Sequence, residues 1–361
     1  MPARTGQAYL QGLQAQEREI WLAGERVKDV TTHPGLRHGA LAIASLYDMQ
    51  HDPRTRDAMT YVSPTTGDRV GLSFIIPRSM AELEQRRTAM LNWARTTCGM
   101  MGRSPDFMNV NYAAWAAAAA FFAQNRPEFG DNIQRYYENI RENDLTHALI
   151  NLQRSRNPAG MFNLSEGTAL QVVRESAAGI VVRGARVLAT LGPLADEIGV
   201  YSPRMGRMTE GHSPFALNFA IPCGTPGLRF LCRESFDVGK SHFEHPLGSR
   251  FDEMDAVGFL DDGLVPGERV FMLGDVGLIN ATAATTHSSR HTAHQGATKN
   301  VAKCELVLGV ALLMTQVLGN EHLPHTQERL GKLMMHTETM KACLRAAEAD
   351  AQLDEWGVMC P

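Results

Sequence analysis

Three stretches of the chain combine residue types that can do chemistry. The first is Arg103-Ser104-Pro105-Asp106-Phe107, which follows a Met-rich apolar run broken at Gly102. Pro105 interrupts helical continuation, so the arginine sits at a break between apolar segments. A guanidinium keeps its charge at every accessible pH. Placed at such a break it suits a phenolate, a carboxylate or a flavin oxygen, with an ordinary Arg–Asp surface pair as the competing reading. The second stretch is 143–158, where His147 stands at the junction of a helical and a strand pattern and Arg154 and Arg156 follow. It reads as a base beside an arginine pair able to hold a phosphate, or as a histidine that only satisfies the structure. The third is 287–296, three histidines in a short span, in which His291 and His294 share a helix face.

Other chemistries lack their signatures. No GxGxxG follows a strand and opens a helix, and no GxxxxGK[ST], HExxH or GxSxG occurs. His242 and His245 flank Glu244, but Pro246 and the turn context argue against a helical ligand pair, so a hydrogen-bonded loop without metal is expected.

The elements that must position these residues come in three blocks. Residues 1–147 are mostly helical in pattern. Ser79 with Glu82 three residues on is a capping box for a helix over 79–101. The Ala-rich 108–125 is a strong helix former, and a more polar helix follows it. Residues 148–275 are rich in Val, Ile and Gly in short runs and read as a β domain, with two short strands around Asp261-Asp262-Gly263 and Val265-Pro266-Gly267. Helical periodicity returns over 276–361. Two long helices rarely close a core, so this block is expected to be partial or completed by another subunit.

Composition is that of a globular protein, 44% hydrophobic and 20% charged in 361 residues, and the net charge of −4 argues against nucleic-acid binding. The six cysteines form no CxxC pair and read as buried small hydrophobes in a reducing cytoplasm. The most apolar helix candidate, 300–319, carries Lys303 and Glu305 and reads as a buried core helix rather than a membrane span.

Longer motifs then carry a resemblance. GERVKDVTTHPGLR, SLYDMQHDP, GMMGRSPDFMN, DLTHALINLQRSR, GARVLATLGPLADE and PLGSRFDEMDAVGFLDDGLVPGERVFM resemble the oxygenase components of the 4-hydroxyphenylacetate 3-monooxygenase family. These are two-component aromatic hydroxylases that use reduced FAD, and chlorophenol and nitrophenol monooxygenases are among their relatives. The resemblance implies an α+β, acyl-CoA-dehydrogenase-like fold: an N-terminal helical domain, a central β-barrel domain and a C-terminal helical bundle. It implies FADH2 delivered by a separate NAD(P)H:flavin reductase, and O2 as co-substrate. A flavin C4a-hydroperoxide would hydroxylate a phenol ortho to its OH, in aromatic catabolism. It also implies a homo-oligomer, a dimer or tetramer.

By resemblance, Arg103 binds the phenolic oxygen and His147 hydrogen-bonds it and takes its proton. Phe107 stands where the family usually has Tyr, which removes a hydrogen bond worth roughly 1.5–3 kcal/mol to a charged group. His291 or His294 matches a second base near the start of the C-terminal domain. Gln153, Arg154, Ser155, Arg156 and Thr190 match the family's flavin contacts, and 202–215 lies where the family has a lid. Leu152 replaces a common Pro. Two alternatives accompany this reading. One is a non-catalytic or truncated relative. The other is a 4-hydroxybutyryl-CoA-dehydratase-like enzyme, whose iron–sulfur ligands are not matched, since Gly102 lies four residues after Cys98 and the helix after His294 offers only Cys304.

Overall fold

A computed structural model of the chain describes residues 2–150, 168–201 and 208–361, with backbone alone at 149–150. Leu152, the flavin-contact candidates Gln153, Arg154, Ser155 and Arg156, and the first part of the expected lid lie outside the described residues.

The first block holds helices α1 (Gly6–Ala15), α2 (Arg37–Asp48), a single turn α3 (Arg56–Met59), α4 (Met80–Thr96), α5 (Asp106–Ala117), α6 (Ala119–Ala123) and α7 (Pro127–Asn143). It also holds strands β1 (Glu19–Leu22), β2 (Glu25–Val27), β3 (Thr60–Val62) and β4 (Arg69–Gly71). Ser79 caps α4 as its sequence predicts, accepting from the Glu82 backbone N–H at 3.3 Å. Pro127 opens α7 and Asp144, in the left-handed region, closes it. The Ala-rich run is not one helix: it breaks at Ala118, so that Phe121 and Phe122 turn into the core.

The second block supplies β5 (His147–Ile150), β6 (Gln171–Ser176), β7 (Gly179–Thr190), β8 (Glu197–Val200), β9 (Leu217–Pro222), β10 (Leu228–Cys232), β11 (Asp255–Pro266) and β12 (Val270–Leu273). The predicted pair of strands around Asp261-Asp262-Gly263 is one strand, β11. The turn signal there is absorbed as a bulge between Leu260 and Gly263, with Asp262 at φ 52°. Ten strands form one sheet in the order β12-β9-β8-β5-β7-β11-β10-β1-β2, with β6 beside β7. The expected barrel is therefore an open sheet among the described residues. Its ends are β12 and the β1–β2 hairpin, whose outer strand carries exposed Glu25 and Arg26, charges that keep an edge from pairing further. The hairpin comes from the helical block, so this sheet draws on both sides of residue 147.

The third block is α8 (Val276–Thr285), α9 (Ser288–Leu318), α10 (Pro324–Ala349) and a small pairing of β13 (Gln352–Leu353) with β14 (Met359–Cys360). The first half of α9 packs on α4 and α5 and is buried from His291 to Ala302 on one face. Its second half does not match the expected core helix: Val310, Leu313, Met314, Val317 and Leu318 are exposed, because α10 is its main neighbour there. By length and hydropathy alone α9 could cross a membrane, yet its first half packs on α4 and α5. The cysteines are unpaired. Cys223, Cys232 and Cys360 are buried as expected, whereas Cys343 is exposed.

One polar network ties the blocks together. Arg4 donates to Asp196 Oδ2 at 2.6 Å and Oδ1 at 3.2 Å, and to Thr146 Oγ1 at 3.2 Å. The Thr146 backbone N–H also donates to Asp196, at 2.8 Å. Burial pushes the Asp196 carboxyl up, but the Arg4 charge and these bonds outweigh it and hold the pKa below the usual range. Removing one partner of a buried pair leaves the other desolvated and alone, at about 3–5 kcal/mol. Arg4→Met should therefore lower unfolding free energy by about that amount in urea denaturation. A change under about 1 kcal/mol would show that the network is dispensable.

Candidate active site

His147 opens β5, between β8 and β7. It pairs in register with Glu197 of β8, and Leu149, two residues on, pairs with Thr190 at the end of β7. The sheet thus sets the predicted base and one predicted flavin contact on neighbouring strands. The imidazole is 1% exposed. Its Nε2 lies 2.9 Å from the Tyr136 hydroxyl of α7, and the Tyr112 ring of α5 packs edge-on at 5.1 Å. Tyr136 in turn donates to Glu197 Oε2 at 2.5 Å, and Arg269 donates to both Glu197 oxygens at 2.9 and 2.7 Å. Burial, joined by the Arg269 charge, pushes the imidazole pKa down to about 4 against the opposing pull of Glu197 and Asp196. His147 is thus a neutral base at neutral pH.

Arg103 lies on the segment before α5. Its backbone N–H donates to Glu253 Oε1 at 2.7 Å, which fixes the loop. Its guanidinium stacks over the Phe107 ring at 4.1 Å and donates to the Gly102 carbonyl at 3.1 Å. No carboxylate pairs with that guanidinium among the described residues, so the surface ion pair with Asp106 that competed as a reading is not formed. Asp106 is instead buried. Ser104 donates to its Oδ1 at 2.6 Å and Gln295 of α9 to its Oδ2 at 3.3 Å, while burial pushes its pKa up to about 6. Lys299 adds a second cation at this break. Burial, Lys303 and Arg103 lower its pKa, and Glu253 opposes them.

The structure sets the remaining candidates elsewhere. His294 Nε2 lies 3.1 Å from Glu348, which also accepts from Arg87 at 2.5 Å, so it belongs to a junction of α4, α9 and α10. His291 Nδ1 accepts from Arg86 at 2.8 Å. Neither touches Arg103 or His147 among the described residues. His291, Asp354 and Cys360 gather closely enough to suggest a metal group, but the Arg86 charge against His291 disfavours a cation there. His242 is exposed and rests edge-on against His38.

Comparison with known proteins bears on the family and the fold. Residues 5–272 match the family model described as 4-hydroxyphenylacetate 3-hydroxylase N terminal, and 279–361 match its C-terminal counterpart. The chain belongs to the 4-hydroxyphenylacetate 3-hydroxylase family. It is 42% identical to the 4-hydroxyphenylacetate 3-monooxygenase oxygenase component of Geobacillus sp., over 100% of this chain and 73% of that protein. It is 43% identical to the Thermus thermophilus oxygenase component, over 99% and 73%. A solved oxygenase component complexed with FAD and 4-hydroxyphenylacetate superposes with a TM-score of 0.92 at 41% identity, covering 99% of this chain and 74% of that one. An archaeal 4-hydroxybutyryl-CoA dehydratase (TM-score 0.87, 18% identity, 99% and 71% covered) shares the fold. So does a glutaryl-CoA dehydrogenase (0.52, 14%, 77% and 65%), which bears out the acyl-CoA-dehydrogenase-like architecture.

Within this family the described residues fit a flavin edge. The Thr190 hydroxyl donates to Asp255 at 2.6 Å, which leaves its oxygen free to accept from a ring N–H. Arg103 keeps most of its donors for an anion. Tyr112, Tyr136, Glu197, Arg269, Glu253 and Lys299 escaped sequence reasoning. Only the adjacent tyrosines in a polar helix hinted at any of them.

The depressed His147 pKa has a sign. Unfolded, the ring titrates near 6.5. Between that value and about 4 the unfolded chain binds the extra proton, so stability rises with pH across this window and is lost as pH falls through it. The shift corresponds to about 3 kcal/mol. Unfolding free energy measured from pH 7 to 4 should fall more steeply, by about that amount, for the parent than for His147→Gln. Parallel curves would mean that the ring is not held neutral.

Proposed function

We propose that the chain is the oxygenase component of a two-component flavin-dependent monooxygenase that hydroxylates a phenol ortho to its OH. Reduced FAD, supplied by a separate flavin reductase, provides the oxygen-activating chemistry when bound. The chain's own residues do the rest. Electrophilic oxygen transfer needs an electron-rich ring, and a phenolate is richer than a phenol. His147, neutral and buried, takes the phenolic proton. Arg103 meets the oxygen's developing charge. Thr190 offers an acceptor to the flavin edge, and the buried aromatic cluster of Tyr112, Trp115, Tyr136 and Tyr201 keeps water from the base. One observation carries the assignment of residues: a guanidinium without a carboxylate partner among the described residues precedes α5, and a neutral imidazole packs on Tyr112 of the same helix, in a chain of this family.

Phe107 in place of the family's tyrosine leaves Arg103 and His147 to bind the oxygen, which points to phenols in general rather than to 4-hydroxyphenylacetate in particular. The cytoplasm suits six unpaired cysteines. A homo-oligomer, dimer or tetramer, fits the exposed apolar half of α9, which a second copy could cover.

The test mixes protein and anaerobic reduced FAD with oxygenated buffer and a panel of phenols, and counts catechol formed per FADH2 consumed. The parent should couple consumption to product with at least one phenol. Arg103→Ala and His147→Ala should lower catechol yield at least tenfold while releasing free hydrogen peroxide. If both variants hydroxylate as well as the parent, the site is elsewhere.

A further inference from the structure

We infer that Tyr136 and Glu197 are positioning residues that fix the tautomer of His147 and make Nδ1, not Nε2, its basic atom. This deepens the proposal above and rests on its reading of His147 as the base.

The argument is one of hydrogen-bond direction. Arg269 donates to both oxygens of Glu197, so that carboxylate is a pure acceptor. Tyr136 has one hydroxyl proton, and at 2.5 Å from Glu197 Oε2 it gives it there. The Tyr136 oxygen can then only accept at its remaining contacts, the Tyr112 hydroxyl and His147 Nε2, the latter at 2.9 Å. A neutral imidazole carries one proton. That proton is therefore on Nε2, and the lone pair is on Nδ1. Nδ1 is buried and makes no hydrogen bond of good geometry among the described residues, while the Leu145 backbone carbonyl beside the ring favours its protonated form, as suits an atom that receives a substrate proton.

The surroundings offer one competing acceptor, the Leu145 backbone carbonyl, against which the short Glu197–Tyr136–Nε2 chain sets the tautomer. The charged and titratable groups facing His147 are Tyr112 from α5, Tyr136 from α7, Asp196 and Glu197 at β8, and Arg269 at the turn before β12. Asp196 is already taken by Arg4. Glu197 lies 4.0 Å from Nε2, too far for a direct hydrogen bond, and so acts through the tyrosine.

The step balances simply. The phenol O–H bond breaks, an Nδ1–H bond forms, and the electron pair stays on the phenolate oxygen. The imidazolium keeps its Nε2–H bond to Tyr136, and the Glu197 charge behind it offsets the new positive charge. The arrangement resembles the orienting carboxylate of a hydrolytic triad, with a tyrosine interposed.

The test needs no turnover. Nitrogen-15 NMR of the histidine rings of the full-length parent, with His147→Gln to assign the signal, reports the tautomer directly. The Nε2–H form is expected, and the Nδ1–H form overturns the inference. Separately, 4-nitrophenol is titrated on the protein and the pH at which the bound dye becomes yellow is recorded. His147→Gln and Tyr136→Phe should each raise that midpoint by about one pH unit, a tenfold loss of phenolate stabilisation. If His147→Gln shifts it and Tyr136→Phe does not, the tyrosine has no positioning role although His147 remains the base. If neither shifts it, the reading of His147 as the base fails and this inference with it.

Discussion

Asp196 and Glu197 enter the core side by side, and each must find a cation. Both are about 4% exposed. A lone buried carboxylate would cost several kcal/mol, so the chain brings one arginine to each from opposite ends of the sequence. Arg4 comes from before α1 and Arg269 from the turn before β12. The two pairs cross-link the helical block, β8 and the far edge of the sheet at one point. β5 is threaded beside that point, since Thr146 binds Asp196 and His147 pairs with Glu197. The ring's burial, its neutrality and its hydrogen-bond direction all follow from the demand of two carboxylates for partners.

The other half of the site is set by backbone geometry. The turn after α4 uses Cys98 and Gly99, both at positive φ. Gly99 is required there: a Cβ would lie 2.6 Å from the Lys303 backbone nitrogen, so only glycine lets the turn press on α9. That close approach carries Gly102 and Arg103 to Lys299 and Glu253. The Glu253 carboxylate holds the Arg103 backbone rather than its side chain. The guanidinium is thereby left without a carboxylate partner among the described residues, whereas burial raises the pKa of Asp106, its neighbour in sequence, against the opposing donors from Ser104 and Gln295.

Much of this was legible in the sequence, and the limits have physical reasons. The cap at Ser79, the order of helical and strand blocks, and the break at Arg103 are local signals, and local signals survive without a fold. The open sheet edge was not legible, because β1 and β2 are only four and three residues long and lie inside a helical block. The bulge in β11 was read as a turn, since Asp-Asp-Gly has turn chemistry and only pairing to β7 overrules it. At the site, Arg103 and His147 were found as residue types at element boundaries. Tyr136, Glu197 and Arg269 were not, since their spacing of 61 residues between Tyr136 and Glu197 and 72 between Glu197 and Arg269 has no periodic signature. Their meaning arises only when sheet register puts Glu197 opposite His147.

Phe107 illustrates what such a site demands of an aromatic neighbour. Two roles are open to a ring at that position: to donate a hydroxyl hydrogen bond, or to hold the arginine. Stacking at 4.1 Å serves the second, because a guanidinium lying over a ring face is fixed in plane while its N–H edges remain available. The phenylalanine keeps this and gives up the first. Under the proposed function, the negative charge of a bound phenolate would fall on one fixed cation and one imidazolium. An oxyanion shared between two donors depends more heavily on each, and so on that proposal the orientation of His147 would have more to do in this chain than it would beside a tyrosine.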